Sequence, residues 1–322
     1  MTQLDSALGA KICGYGWYSQ ISSSSYDGAQ LTDILNDVVS SGAVFQPAVM
    51  PTLQLDSFTA STASQVAAVL KQFTDRGVEV WLRFGHEMNY YLSAGTYHGT
   101  AAQFVSAWKL MHAAVQGNSL IKMWWSPNVD STGVQAISQY WPGPDYVDLV
   151  GIDCYPQGTI TSSSFANCYQ SFYNTYSAAY SKPFAIGETG ACGSSAEAWL
   201  SALMNPPSGY PNYIAMSWFE YSKECDFRII ESSLLPQTKN ILLNGVTSPG
   251  SGSELPSDTC TWGPLSLAQK LIKADVKGGP AALRAPVSQP THVRGAIVQI
   301  AVGAAMAGHA ALPNRAMLTT HA

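Results

Sequence analysis

The chain has 322 residues, 46% of them hydrophobic and only 11% charged, which is enough apolar material for one large core and too little charge for a disordered chain. The formal net charge is −5 without a long basic run, so the electrostatic footprint of a nucleic-acid binder is missing. The six cysteines include no Cys-x-x-Cys pair and lie away from any His pair at ligand spacing, so neither a metal site nor a cofactor is expected.

Taken in order, the predicted strands are 12–18, 43–50, 78–84, 121–125, 147–152, 184–187 and 213–219, mostly apolar on both faces, as strands covered on both sides should be. Helical periodicity fills the gaps. After Asp27, a possible cap, Leu31, Ile34, Leu35 and Val38 share a face and Gly42 follows as a stop; Val66, Val69, Leu70 and Phe73 repeat the pattern before Gly77, and Phe104, Trp108, Met111 and Val115 before Gly117. This alternation predicts an α/β fold with a parallel sheet. Seven strands fall one short of a (β/α)8 TIM barrel, which is preferred over an open doubly wound sheet because no Gly-x-Gly-x-x-Gly follows the first strand and polar residues recur where strands end. Residues 1–247 form the expected catalytic domain. Beyond it, 248–322 change to Ser, Pro, Gly and Ala, a composition that predicts a mobile, mostly disordered C-terminal tail.

Residues 1–20 lack the features of a signal peptide, and the Ala- and Gly-rich stretch 295–312 is a weak membrane candidate, so no membrane partner is expected. The even number of cysteines fits disulfides and isolated buried thiols equally well. If bridges form, Cys192 with Cys225 is the first choice, because each lies just beyond one of two successive predicted strands.

The chemistry concentrates in Trp81-Leu82-Arg83-Phe84-Gly85-His86-Glu87-Met88-Asn89, an apolar strand ending in a histidine, a carboxylate and an amide. The strand Lys182-Pro183-Phe184-Ala185-Ile186-Gly187 likewise ends in Glu188. In a barrel, catalytic groups sit at the C-terminal ends of strands, and hydrolysis of a glycosidic bond requires two carboxyls in different protonation states. Glu87 is the better acid, since neighbouring aromatic residues can desolvate it; Glu188, which a phenol such as Tyr155 could hold, is the better nucleophile. Aromatic residues at strand ends, among them Tyr18, Trp124, Trp125, Tyr155 and Trp218, suit the C–H faces of sugar rings, although each taken singly is more often packing. No Gly-x-Ser-x-Gly, phosphate loop or His-Glu-x-x-His is present.

Five segments in order, Arg83 to Asn89, Trp125-Ser126-Pro127-Asn128, Tyr146 to Asp153, Lys182 to Gly190, and Trp218-Phe219 followed by Lys223 to Ile229, resemble glycoside hydrolase family 26 over roughly residues 11–244. The resemblance implies a clan A (β/α)8 barrel and a retaining mechanism, with Glu87 as acid/base at the end of strand four and Glu188 as nucleophile at the end of strand seven. It implies substrate-side roles for His86, Trp125, Asn128, Tyr155 and Trp218, a polysaccharide substrate, a monomer, and secretion. The family's commonest activity is endo-β-1,4-mannanase, with minority members acting on mixed-linkage β-glucan or β-1,3-xylan. Here Tyr90 and Tyr91 directly follow Asn89, where the family's mannanases usually place Gly. Counting back from strand four leaves strand one absent, which predicts an N-terminally truncated chain. A barrel that binds carbohydrate without cleaving it is the rival reading.

Overall fold

The computed structural model describes residues 2–244 and 297–301. Seven parallel strands pair in chain order: β1 (Gly14–Ile21), β2 (Val44–Pro51), β3 (Val80–Phe84), β4 (Ile121–Trp125), β5 (Leu149–Val150), β6 (Phe184–Thr189) and β7 (Tyr213–Phe219). They curl as a (β/α)8 barrel does when one strand is missing. Residues Thr2–Leu8 form a helix rather than a first strand, so the count of seven holds through residue 244. An eighth strand, β8 (Ile297–Ala301), pairs antiparallel with β7 and lies alongside β1 as well. It occupies the seam that the absent parallel strand leaves, and it belongs to the segment read as a tail. The remainder of residues 248–322 lies outside the described residues.

Two of the three predicted helices form over the predicted apolar faces, each starting at a threonine cap. Ala60–Thr74 begins at Thr59, whose hydroxyl accepts from the Thr62 N–H, and Ala101–Val115 begins with a capping box formed by Thr100 and Gln103. The segment after Asp27 departs from the single predicted helix. It forms two short helices, Ala29–Thr32 and Leu35–Ser41, the second ending at Gly42 with φ 67°, a left-handed stop that favours glycine.

Alternation along the strands divides the apolar residues into two cores. Val44, Trp81, Trp124, Leu149, Ala185 and Ala215, one from each of β2 to β7, fill the barrel interior. Leu82, Phe84, Trp125, Val150, Ile186 and Met216 face outward into the larger core shared with helix residues such as Trp108, Phe172 and Trp199. Two residues further along the inward face, the interior turns polar at Arg83, Ser126 and Ser217, with Gly151 and Gly187 between. Glycine is needed at 187, because a Cβ there would collide with Ser126 Oγ and Asp153 Oδ1. The missing side chain leaves space for the Arg83 guanidinium.

Among the described residues no helix is long and apolar enough to cross a membrane. Among the described residues two disulfides join described partners, Cys154–Cys168 and Cys192–Cys225, with Cα separations of 5.9 and 6.2 Å. The second is the pair favoured from strand positions.

Candidate active site

Local backbone irregularities place both carboxylates. After β3 the chain turns at Gly85 (φ 57°), where a Cβ would meet Phe104 Cε2 at 2.7 Å, and Glu87 then adopts a left-handed conformation, φ 48° and ψ 36°. For a residue with a side chain this costs about 1–2 kcal/mol. The conformation is pinned because the Glu87 N–H donates to the Ser126 carbonyl at 2.8 Å and its carbonyl accepts from the Tyr91 N–H at 2.9 Å. The ends of β3 and β4 are thereby tied together, with the Glu87 side chain over the barrel mouth.

Glu188 is placed by a bulge. In the β6–β7 register Ile186 pairs with Met216 and Thr189 with Trp218, so β6 carries one extra residue in this interval. Strict alternation from inward Ala185 and Gly187 would send Glu188 out toward the helices. The extra residue instead turns it inward beside Gly187, while Thr189 resumes the outward face, donating to the Cys154 carbonyl and accepting from the Trp199 indole.

The two carboxylates meet different partners. Glu188 Oε1 accepts from Tyr18 Oη at 2.6 Å and from Arg83 Nη1 at 2.8 Å, and Glu188 Oε2 accepts from Tyr155 Oη at 3.2 Å. Arg83 also donates through Nη2 to Asp153 Oδ2 (2.5 Å) and Ser126 Oγ (3.0 Å), while the Ser126 hydroxyl donates to Asp153 Oδ1 at 2.6 Å. Its guanidinium lies over the Trp124 ring, 5.3 Å from the centroid. Burial alone would lower the Arg83 pKa; the charges of Asp153 and Glu188 outweigh it and hold the guanidinium protonated. Burial pushes Asp153 up, against the pull of Arg83.

The Glu87 carboxylate accepts a hydrogen bond from Asn128 Nδ2 at Oε1. Burial, followed by the charge on Glu188, pushes its pKa from the ordinary 4.5 up to about 8, and Asn128 opposes the rise. Asn128 is itself clasped: its N–H donates to Asn89 Oδ1, and Asn89 Nδ2 donates back to its carbonyl, both at 2.9 Å. One oxygen from each of Glu87, Asp153 and Glu188 lies within 4.8 Å of the others, and Arg83 ion-pairs two of the three. Because the Asn128 amide stabilises ionised Glu87, Asn128→Ala should raise the Glu87 pKa further. The alkaline limb of a pH–rate profile should move upward, which initial rates between neutral and alkaline pH would measure.

Of the residues singled out from sequence, Glu87, Glu188, His86, Asn128 and Tyr155 converge. His86 is buried, with its ring 5.2 Å from that of Tyr18 and 5.3 Å from that of Tyr91, and its Nε2 3.7 Å from Glu188 Oε1. Burial and then Arg83 push its pKa well down, so the imidazole is neutral. Trp125 and Trp218 do not join the cluster. Trp125 faces the helices, stacked on Phe172 with Trp141 and Tyr176 at its edges. Trp218 is fully buried in the outer core and donates its indole N–H to the Phe227 carbonyl at 2.7 Å. Both follow from alternation, since strand-end aromatics one residue out of phase with the interior layer cannot face the mouth.

Arg83, Ser126 and Asp153 complete the site and were not singled out as functional from sequence, while Tyr18, named there only as a strand-end aromatic, joins them as a donor to Glu188. The available signal was a basic residue inside the apolar run Trp81-Leu82-Arg83-Phe84, since a buried arginine needs carboxylate partners.

The profile of glycosyl hydrolase family 26 matches residues 50–224. The chain belongs to glycosyl hydrolase family 26. This family 26 chain is 30% identical over 203 residues to Endoglucanase H of Acetivibrio thermocellus, a match that takes in 58% of the chain and 22% of that relative. It thus spans under a quarter of the length of the curated relative it matches. Among solved structures it is similar to ZgEngAGH5_4 in complex with a cellotriose, with TM-score 0.53 and 11% identity over 74% of this chain and 86% of that one. It is also similar to the family 26 β-mannanase BoMan26A of Bacteroides ovatus, with TM-score 0.47 and 17% identity over 61% and 68% of the two chains.

Proposed function

We propose that the protein is a retaining endo-β-1,4-mannanase that works by double displacement, with Glu188 as nucleophile and Glu87 as acid/base. The observation that carries this reading is a pair of carboxylates with oxygens within 4.8 Å in opposed environments. Glu188 takes three hydrogen bonds from Tyr18, Arg83 and Tyr155, whereas Glu87 is pushed up to about 8. Retaining enzymes hold their carboxyls about 5–5.5 Å apart, and inverting ones about 6.5–9.5 Å apart to admit a water.

In the first step a Glu188 oxygen attacks the anomeric carbon as the glycosidic C–O bond breaks. The protonated Glu87 delivers its proton to the departing oxygen. Loss of that proton leaves Glu87 able to take one from water, which attacks the same carbon and releases Glu188. Burial and the negative charge of Glu188 keep the Tyr18 and Tyr155 phenols protonated, so both remain donors throughout. Arg83, ion-paired to Glu188 at 2.8 Å, supplies the fixed positive charge that faces the carboxylate before attack and as it departs afterwards.

Mannan is proposed because it is the substrate most often associated with the family. A second reading, β-1,4- or mixed-linkage glucan, is favoured by the 30% identity to a protein named Endoglucanase H. β-1,3-Xylan is the remaining alternative within the family. The disulfides Cys154–Cys168 and Cys192–Cys225 support an oxidising compartment and hence a secreted protein. Reducing-sugar release from galactomannan, mixed-linkage β-glucan and β-1,3-xylan, with Glu188→Ala as control, tests the reading. Release from galactomannan that vanishes in the variant is expected. Release only from glucan would move the specificity to the second reading, and binding with no release from a folded protein would favour a carbohydrate-binding barrel.

A further inference from the structure

Behind Glu188 stands a small apolar cluster separate from the main cores. Phe219 and Phe227 form its buried centre, and Tyr18, Tyr155, Tyr221 and the half-cystines Cys192 and Cys225 pack around them. Two of these residues, Tyr18 and Tyr155, are the phenols that donate to Glu188. The Tyr155 ring is held edge-on between Phe219, at 6.1 Å and 90°, and Phe227, at 5.5 Å and 63°. Phe227 approaches closely because residue 190 is glycine; a Cβ there would meet its ring at 2.9 Å.

Phe227 belongs to the segment that follows β7, and a single buried carboxylate holds that segment. Glu220, 2% exposed, accepts from three successive backbone N–H groups: Ile229 to Oε2 at 2.9 Å, and Ile230 and Glu231 to Oε1 at 2.7 and 2.9 Å. Covalent attachment comes from Cys192–Cys225. Between these anchors the Phe227 N–H donates to the Tyr221 carbonyl at 2.9 Å, and the Phe227 carbonyl accepts from the Trp218 indole at 2.7 Å. The backbone on which the Phe227 ring stands is thus fixed by this closed loop, while Phe219 and Gly190 pack against the ring itself. The proposed reaction gives Glu220 no chemical step. Burial pushes its pKa up to about 7 against the three backbone N–H donors, and a carboxylate buried at that cost is explained by the geometry it fixes.

We propose that Glu220 is a positioning residue for the nucleophile, acting through the 221–231 segment and Phe227 to hold the Tyr155 hydroxyl against Glu188. This rests on the assignment of Glu188 as nucleophile made above. A glutamine at 220 keeps the volume and one acceptor oxygen but presents an amide N–H to backbone N–H groups, so it loosens the segment without opening a cavity.

The test is the rate at which an activated 2-deoxy-2-fluoro-β-mannosyl or cellobiosyl donor labels Glu188, a step that needs no proton from Glu87. Labelling is followed by intact mass and located by peptide mapping. In the otherwise wild-type protein Glu220→Gln should slow labelling about tenfold, and Phe227→Leu, which keeps the carboxylate, should act similarly. In a Tyr155→Phe background both substitutions should change the rate by less than about twofold, because the hydroxyl they position is gone. Effects that multiply with Tyr155→Phe would overturn the inference and reduce Glu220 to a stabilising residue. If Glu220→Gln does not fold, the Phe227→Leu cycle decides alone. Absence of label on Glu188 in the wild-type protein would overturn the nucleophile assignment itself, and this inference with it; that outcome is separate from labelling with multiplicative effects.

Discussion

Glu188→Ala should lower turnover of the preferred polysaccharide by about four to six orders of magnitude, the scale on which loss of a covalent nucleophile acts. The fold should survive, because Arg83 keeps Asp153 and Ser126 as partners when Glu188 is gone. Thermal unfolding of the variant should therefore remain cooperative, at a reduced midpoint. The vacated carboxylate site faces Tyr18, Arg83 and Tyr155, three donors suited to a small anion. Azide should accordingly restore cleavage of an activated aryl glycoside and yield a glycosyl azide of inverted configuration, which chromatography and NMR would identify. Full activity in Glu188→Ala on polysaccharide would contradict its assignment.

Glu87→Gln should divide substrates by leaving group. Removing the acid should cost about 10²–10⁴ in kcat on polysaccharide, whose leaving oxygen needs a proton, and far less in the first step with a dinitrophenyl glycoside, which does not. The alkaline limb expected near the Glu87 pKa of about 8 should disappear for the activated substrate. The same substitution has a stability signature. The folded-state pKa of Glu87 lies above its ordinary value, so the folded protein binds this proton more tightly than the unfolded chain. Its contribution is present below about 4.5 and is lost as pH rises through about 8. Wild-type protein should thus lose stability relative to Glu87→Gln across that interval, which parallel melting curves would measure. An unchanged difference would argue that Glu87 is not held protonated.

Much of this site was legible in the sequence because barrel strands announce their ends. An apolar run that stops at a carboxylate identifies both Glu87 and Glu188, Tyr155 is an aromatic just past a strand end, and Asn128 came only from the resemblance of the Trp125 to Asn128 segment to the family. What period-two reasoning could not supply was direction at irregular backbone. Glu188 sits out of phase with Ala185 and Gly187, and only the extra residue in β6 brings it inward. Trp125 and Trp218, placed at strand ends in good register, face the outer core for the opposite reason, because nothing interrupts their alternation. Arg83 was visible as a charge in an apolar strand, but its partners are 43, 70 and 105 residues away, and no local pattern joins them. The helices 60–74 and 101–115 were placed by their apolar periodicity, and the stretch after Asp27 was misread as one helix, since Gly28 at φ 66° starts a short helix that ends at Thr32. The strand Ile297–Ala301 lies in a segment whose Ala- and Gly-rich composition reads as linker, so its pairing with β7 depends on the open sheet edge rather than on its own sequence.

The most direct test of double displacement is the configuration of the first-formed product. Proton NMR of a short β-linked oligosaccharide, recorded during the first minutes of hydrolysis and before mutarotation, should show the new reducing end accumulating as the β-anomer. Initial accumulation of the α-anomer would contradict the account, because it would require water, not Glu188, to attack the anomeric carbon.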